Sequence, residues 1–524
     1  MNSKSFNFSN MRKIKQTTWS LFILTACFLL VFSSCKKQLE TKVYSSLTPD
    51  NFYQSEGDAN AALMTVYIPF TSYWGNPDPG SGVWYAALYN ADIKSYLSKS
   101  LISTDEIYNE GGGANTADLF NFTWGPDTWQ GPNDAVYYKI SYVAKATEVI
   151  TAIGNSTNLT DDVKKSYVAQ AKTLRAWLMF VLYDFYGPVN AKVSYETLTD
   201  TSATPRPPKA DYLAQIEKDL TEAMPDLKDK YNSDAPNWGR VGKGVARMVL
   251  LKLYMQEKQW AKAATTAREL MTMGYSLMTG PLGYRDVFRV KANKELIYAV
   301  PANAASANWW SQEVFPLDFK SAPDFIYASD VPGTGIAPRA SGWLTQYMPW
   351  AYYDKYDATD IRRNTTVLDH YTNTGNTVMT RSNGMKGAIP LKYTSIPLPG
   401  DAQPIDVVVF RYADVLLSLA EAINEQGAPT AEAFQLINEV RARAGVSNLS
   451  GLTQAQFRQA LLDERGREFY GEGSRRQDLI RNGTYISSAV TRGKINAKSH
   501  MVLYPIPSAV ITQSRGVIVQ NPGY

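Results

Sequence analysis

The sequence predicts a mainly α protein: a scaffold of tetratricopeptide-like helical pairs carrying large irregular loop insertions. Three observations predict it. Several stretches place apolar residues at helical spacing and come in adjacent pairs. One of them, "GKGVARMVLLKLYMQEKQWAKAATTARELMTMG" (242–274), has the form of a tetratricopeptide unit. It has a small residue in the first helix, a short turn at "EKQ", and alanines at the close-packing positions of the second. Two long tracts, 71–133 and 280–405, are rich in turn residues and aromatics instead.

The chain has 524 residues, with 44% apolar and 19% charged, as befits a folded globular protein. Aromatics reach 12%, with 33 Tyr and 12 Trp, more than a core of ordinary composition needs.

The first residues stand apart. Lys4, Arg12, Lys13 and Lys15 are basic, and no acid precedes Glu40. "WSLFILTACFLLVF" (19–32) is a nearly continuous apolar run, shorter than the about 20 residues of a comfortable membrane span. With Ser33 and Ser34 behind it, this is the pattern of an export signal covering residues 1–34. Its removal takes four basic residues and no acid, leaving the mature chain formally neutral and without a nucleic-acid footprint. Cys27 lies in the signal, so Cys35 is the one cysteine expected in the mature chain, at its first position. Small-Ser-Cys after an apolar run resembles the bacterial lipoprotein signal, which makes Cys35 the expected lipidation site and membrane anchor.

Along the chain, Ala59, Ala62, Leu63, Val66 and Tyr67 recur at helical spacing after a start signal at Thr48-Pro49. Tract 71–133 reads as folded, functional loop, since disordered tracts lack aromatics. Helices follow over "AVYYKISYVAKATEVITAIG", over a stretch from Asp161-Asp162 to a stop at Gly187-Pro188, and over "KADYLAQIEKDLTEAMPDL". After the 242–274 pair, the insertion 280–405 splits the array. "FRYADVLLSLAEAINEQG" and "TAEAFQLINEVRARAG" form a further hairpin, and "QFRQALLDERGREFYGEGSRRQDLIRNG" a charged helix broken by a Gly-rich turn. The tail reads as extended, with Pro505, Pro507 and Pro522 opposing a helix.

Five of these stretches together resemble the SusD/RagB family of outer-membrane nutrient-binding lipoproteins. They are "QAKTLRAWLMFVLYDFYGPV" (170–189), "FRYADVLLSLAEAINEQG" (410–427), "INEVRARAG" (437–445), "DERGREFYGEGSRRQDLIRNG" (463–483) and "YPIPSAVI…QNPGY" (504–524), in family order. Gln170 stands where Glu is typical, and Pro188 follows Gly187 directly. The resemblance implies that the irregular loop insertions form the ligand face, in an N-terminal region over 35–275, with its ligand loops at 71–133, and a C-terminal region over 276–524, with the insertion 280–405 and scaffold helices at 410–483. It implies a non-catalytic protein at the cell surface that caps a SusC-like TonB-dependent transporter and delivers oligosaccharides, or peptides in some branches. No cofactor is expected.

Aromatics on loops are the candidate ligand contacts. A pyranose ring stacks its C–H face on an indole or phenol, for about 0.5–1.5 kcal/mol beyond area burial by analogy with aromatic pairs. Its hydroxyls need polar partners. Tyr73, Trp74 and Asn76 (with Asp78), Trp84 and Tyr85 (with Asn90), Trp309 and Trp310 (with Asn308), and Arg339 with Trp343 (near Tyr347 and Trp350) sit in such surroundings. Trp177 and Trp260 fall on helical stripes and are expected in the core.

Glu464, Arg465, Arg467, Glu468, Arg475, Arg476 and Asp478 are expected to form an ion-pair network pinning the C-terminal segment to the scaffold. Arg411, Asp414 and Glu421 are the candidate partners. His370 and His500 stand without a nearby Cys, which argues against zinc. Asp354, Asp357 and Asp360 do not follow the EF-hand spacing and are neutralised by Arg362 and Arg363. A glycosidase, the enzymatic alternative, would need two carboxylates flanking a cleft.

Overall fold

Helix starts and stops fall where backbone chemistry requires them. The computed structural model describes residues 55–72, 87–109, 114–128, 135–303, 308–322, 346–393 and 404–524. Tyr53–Tyr524 form one compact unit. α1 (Glu56–Tyr67) opens on a capping box between Ser55 and Asp58 and buries Ala59, Ala62, Leu63 and Val66. Its start is therefore set at Ser55. Thr48-Pro49 lies outside the described residues.

Tract 71–133 is less irregular than its composition predicts. It contains α2 (Tyr96–Ile102), β1 (Tyr108–Asn109) and α3 (Ala114–Asn121). Every residue of α2 is buried, Ser98, Lys99 and Ser100 included. A helix covered on all faces has no amphipathic stripe, so periodicity gave no sign of it. Ser95 caps it, accepting from the Ser98 N–H at 3.0 Å.

The scaffold comes next. α4 (Ile140–Asn155) packs along α5 (Asp161–Tyr186), and α5 along α6 (Lys209–Ala223). α5 is capped by Thr160, and apart from Lys172 every residue from Ala169 to Tyr186 is buried. It stops at Gly187, whose φ of 71° favours glycine and whose N–H returns to Tyr183 O. Trp177 lies at the centre of the core, among the rings of Phe70, Tyr298 and Phe410, and donates to Tyr89 Oη at 3.0 Å. Trp260 is half-buried.

α7 (Lys243–Gln256) and α8 (Trp260–Met271) are the tetratricopeptide-like pair, joined at Glu257-Lys258-Gln259. Ala263, Ala264 and Ala267 are buried and let neighbours approach.

The insertion carries α9 (Gly283–Arg289), β2 (Leu296–Val300), β3 (Gln346–Tyr347) and α10 (Ile361–Thr366), with further short antiparallel pairs. β3 pairs with β1. β2 pairs antiparallel with β4 (Val407–Arg411), closing the base of the insertion. β4 leads into α11 (Tyr412–Glu425), which pairs with α12 (Ala431–Arg443) and packs on α8. The helical stack thus continues in space across the insertion.

α13 (Gln454–Phe469), α14 (Arg475–Arg481) and α15 (Tyr485–Thr491) complete the helices before the tail. The tail differs from expectation, because Ser508–Gln513 is helical. Pro507 sits directly before it, where a missing N–H costs nothing and φ is already set.

The expected ion-pair network is present and larger than its sequence signature. Glu468 accepts from Arg411 at 2.5 Å, from Arg362 at 3.1 Å, and from Arg443. Glu464 holds Arg362, Arg441 and Arg467. Arg465 joins Asp414 and Asp478, both at 2.9 Å, and Arg481 joins Glu421 and Asp478. Burial opposes the ionised forms of Glu464 and Glu468. The surrounding guanidiniums more than offset it, holding Glu464 down at about 2 and Glu468 lower still. Asp360 pairs with Arg362 and Asp354 with Arg381.

Candidate functional site

The two loop-rich tracts meet. β1, from the first, pairs with β3, from the second, in the register Tyr108↔Tyr347 and Asn109↔Gln346. This pairing stacks the Tyr108 ring on Tyr347, with centroids 4.9 Å apart and planes at 22°. Phe120 of α3 meets Tyr108 edge-on at 4.5 Å and 69°. A Cβ on Gly387 would come within 2.2 Å of the Tyr347 ring, so only glycine lets that ring lie where it does. Tyr347 is buried, while Tyr108 and Phe120 are half-buried and keep part of their faces open.

These open rings line a cleft of about 570 Å³. Ile107, Tyr108 and Phe120 form one wall. Pro349, Ala351, Tyr352 and Lys355 form the second. Thr484, Ser487, Ser488 and Thr491 of the α15 segment, with Arg492 and Lys494, complete it. Apolar faces beside hydroxyls and cations suit a ligand that is both C–H-rich and polar.

Directed hydrogen bonds hold the walls. Arg475 grips Asp105 through two nitrogens, at 2.8 and 2.9 Å, and Lys355 reaches the same carboxylate at 2.8 Å. Burial would raise the Asp105 carboxyl, but the bonds and charges of Arg475 and Lys355 hold it well below the usual carboxylate range. Arg492 donates to the carbonyls of Thr104 at 2.6 Å and Ser103 at 3.2 Å, tying α15 to the end of α2. Glu106 lies beneath, fully buried, with a 3.5 Å bond from Tyr352 Oη and a 3.4 Å bond from the Gly471 N–H. Burial pushes its carboxyl up to about 8. Lys494 stands with Nζ 3.1 Å from the Phe120 centroid, and burial together with the Arg492 charge pushes it down to about 8.

Tyr73, Trp74, Asn76, Trp84, Tyr85, Arg339, Trp343 and Cys35 lie outside the described residues. Asn90 is fully buried, its side chain accepting from the Asp92 N–H. Trp309 is half-buried. Trp310 is 4% exposed and packs on Tyr393 at 5.7 Å, while Asn308 is spent on Ile405 O and the Trp310 N–H. The cleft therefore adds residues that sequence reasoning passed over: Tyr108, Phe120, Tyr352, Lys355, Arg492 and Lys494. "IYNEGGG", a Tyr beside glycines in the first tract, was the available signal for Tyr108.

The SusD family model matches residues 333–524. SusD-like protein P25 of Formosa agariphila is 26% identical over 510 residues, covering 90% of each chain. Starch-binding protein SusD of Bacteroides thetaiotaomicron is 39% identical over 126 residues, 23% of this chain and 22% of that one. Among solved structures, a laminarin binding SusD-like protein superposes with a TM-score of 0.70 at 23% identity, covering 90% of this chain and 100% of that chain. Surface glycan-binding protein A from Bacteroides thetaiotaomicron, in complex with laminarihexaose, superposes at 0.69 and 21% identity, covering 89% of this chain and 99% of that chain.

Proposed function

We propose a function from the premise that this chain belongs to the SusD family. It is a non-catalytic glycan-binding lipoprotein of the outer membrane, anchored through Cys35. It captures oligosaccharides outside the cell and delivers them unchanged to a SusC-like TonB-dependent transporter. One observation carries the binding role: the two loop tracts close on a cleft with the half-open Tyr108 ring in its wall, backed by Tyr347 and flanked by Phe120. A supported ring accepts the C–H face of a sugar without first having to be ordered, so little entropy opposes binding. Relatives that bind laminarihexaose and starch support the ligand class.

The carboxylate placement supports capture over cleavage. Glycoside hydrolysis needs one acid and one base or nucleophile facing each other across the bond. Asp105, the one carboxylate among the described lining residues, is bound by Arg475 and Lys355. Titration of the purified lipoprotein with laminari- and malto-oligosaccharides, with chromatography of the same mixtures after a day, tests the reading. Saturable binding with intact sugar is expected. Shortened products would sink it, as would binding of peptides in place of sugars. Mass spectrometry of the mature N-terminus checks for diacylglycerol on Cys35.

A further inference from the structure

The kind of glycan taken rests on the glycan-binding reading itself, and the cations of the cleft bear on it. Asp105 neutralises Arg475 and shares its charge with Lys355. Arg492 and Lys494 have no carboxylate partner among the described residues. Arg492 gives its nitrogens to three neutral carbonyls: Thr104 at 2.6 Å, Ser103 at 3.2 Å and Ser488 at 3.3 Å. These bonds fix the guanidinium without neutralising it, and Asp105, already engaged by Arg475 and Lys355, offsets its charge only from a distance. Lys494 has the Phe120 ring and a 3.4 Å bond to Asn121 Oδ1. Both side chains are half-buried, and the Arg492 charge adds to the cost of burying Lys494, as Arg475 does for Arg492. The depressed Lys494 ammonium records that cost. With Glu106 held neutral below, Asp105 is, among the described lining residues, the only negative charge set against Arg475, Lys355, Arg492 and Lys494. An anion placed among these cations offsets the excess of positive charge.

We propose that the cleft takes an acidic oligosaccharide, with a carboxylate or sulfate of the sugar meeting Arg492 and Lys494 while an adjoining ring lies against Tyr108 and Phe120. The hydroxyls of Ser487, Ser488 and Thr491 line the same wall and suit the ring's own hydroxyls. Arg492 is pre-oriented by its carbonyl bonds, so its charge needs no reorganisation to receive the ligand.

The test uses the full-length lipoprotein in detergent and calorimetric titration with three panels. These are neutral laminari-, malto- and xylo-oligosaccharides; uronate-bearing galacturonan, mannuronan and glucuronoxylan fragments; and sulfated carrageenan and chondroitin fragments. The tightest ligand is expected in an acidic panel, at least about tenfold above the best neutral sugar, with affinity falling as salt rises. In Lys494→Gln the acidic-to-neutral affinity ratio falls about tenfold, and Lys494→Arg restores it. The panel that loses affinity tells uronate from sulfate. A neutral sugar as tightest ligand overturns the proposal and leaves glycan binding standing, as does an acidic preference untouched in folded Lys494→Gln and Arg492→Gln. Binding to none of the three panels overturns both.

Discussion

Replacing Glu106 with Gln is expected to stabilise the protein at neutral pH. The Glu106 carboxyl is fully buried, and its neighbour Asp105 has taken both Arg475 and Lys355. Glu106 is left with two long hydrogen bonds, from Tyr352 and Gly471. Burial pushes it from 4.5 to about 8, only partly opposed by the Arg475 charge. The folded protein therefore keeps a proton that the unfolded chain releases above pH 4.5. This group's contribution is full below pH 4.5 and is lost as pH rises through about 8. At pH 7 the loss spans about 2.5 pH units, or about 3 kcal/mol at ~1.36 kcal/mol per unit. Gln, like a neutral carboxyl, carries an accepting oxygen and a donor group, and it never ionises, so the variant avoids the loss. Unfolding entropy of ~2.1 cal/mol/K per residue amounts to about 1 kcal/mol per degree for a unit of this size. The Tm of Glu106→Gln should thus exceed that of the parent by about 3 °C at pH 7 and match it at pH 4.5. Scanning calorimetry at pH 4.5, 7.0 and 8.5 reads this directly. A variant that is less stable at pH 7 refutes the reasoning, because it would mean that the carboxylate is ionised in the fold and paired after all.

Three further outcomes are expected. Glu468→Gln strips one charge from a site shared by Arg362, Arg411 and Arg443. It should cost about 3–5 kcal/mol, read as a Tm fall of several degrees with sugar affinity retained in the folded fraction. Glu464, Glu468, Asp414 and Asp105 all sit below their ordinary values despite burial, held there by Arg and Lys partners. The stability they contribute is present above about pH 4.5 and lost as pH falls through the folded values, so unfolding on acid titration should set in below pH 4 and steepen toward about pH 2. Tyr108→Ala should weaken saccharide binding by about 2- to 12-fold, the equivalent of ~0.5–1.5 kcal/mol of stacking, and an unchanged affinity would remove Tyr108 from the site.

The parts of the fold legible in the sequence are those written in local chemistry. The stop at Gly187, the turn at Glu257-Lys258-Gln259 and the alanines of α8 each follow from the residues beside them. The ion-pair network was legible because its acids and arginines lie at helical spacing in one segment, although Glu295, Asp360 and Arg362 join it from the insertion. The cleft was not legible. Its register rests on a two-residue pairing, Tyr108 to Tyr347 and Asn109 to Gln346, between tracts far apart in the chain. Two residues carry no alternation for a pattern to reveal. Arg492 and Lys494 come after a short helix whose role appears only once Arg492 is tied to the Ser103 and Thr104 carbonyls beyond α2. Composition could mark the loop tracts as aromatic, yet it could not tell Trp310, which packs in the core, from Tyr108, which opens to the cleft.

The buried charges do something for the cleft that an apolar core would not. Lys252 of α7 meets Asp414 of α11, Asp414 meets Arg465 of α13, and Arg465 meets Asp478 of α14. Three residues before Asp478, Arg475 holds Asp105 at the cleft wall with two parallel bonds. A line of ion pairs thus runs from the stacked helices to the site. Apolar contacts of similar area would hold the elements together but would tolerate sliding and rotation, since hydrophobic attraction has no direction. A guanidinium forked on a carboxylate tolerates neither. A protein that only grips its ligand gains affinity mainly by ordering its contacts in advance. The cost of desolvating these charges is therefore the cost of a fixed cleft, and it falls on the scaffold, where no ligand has to supply it.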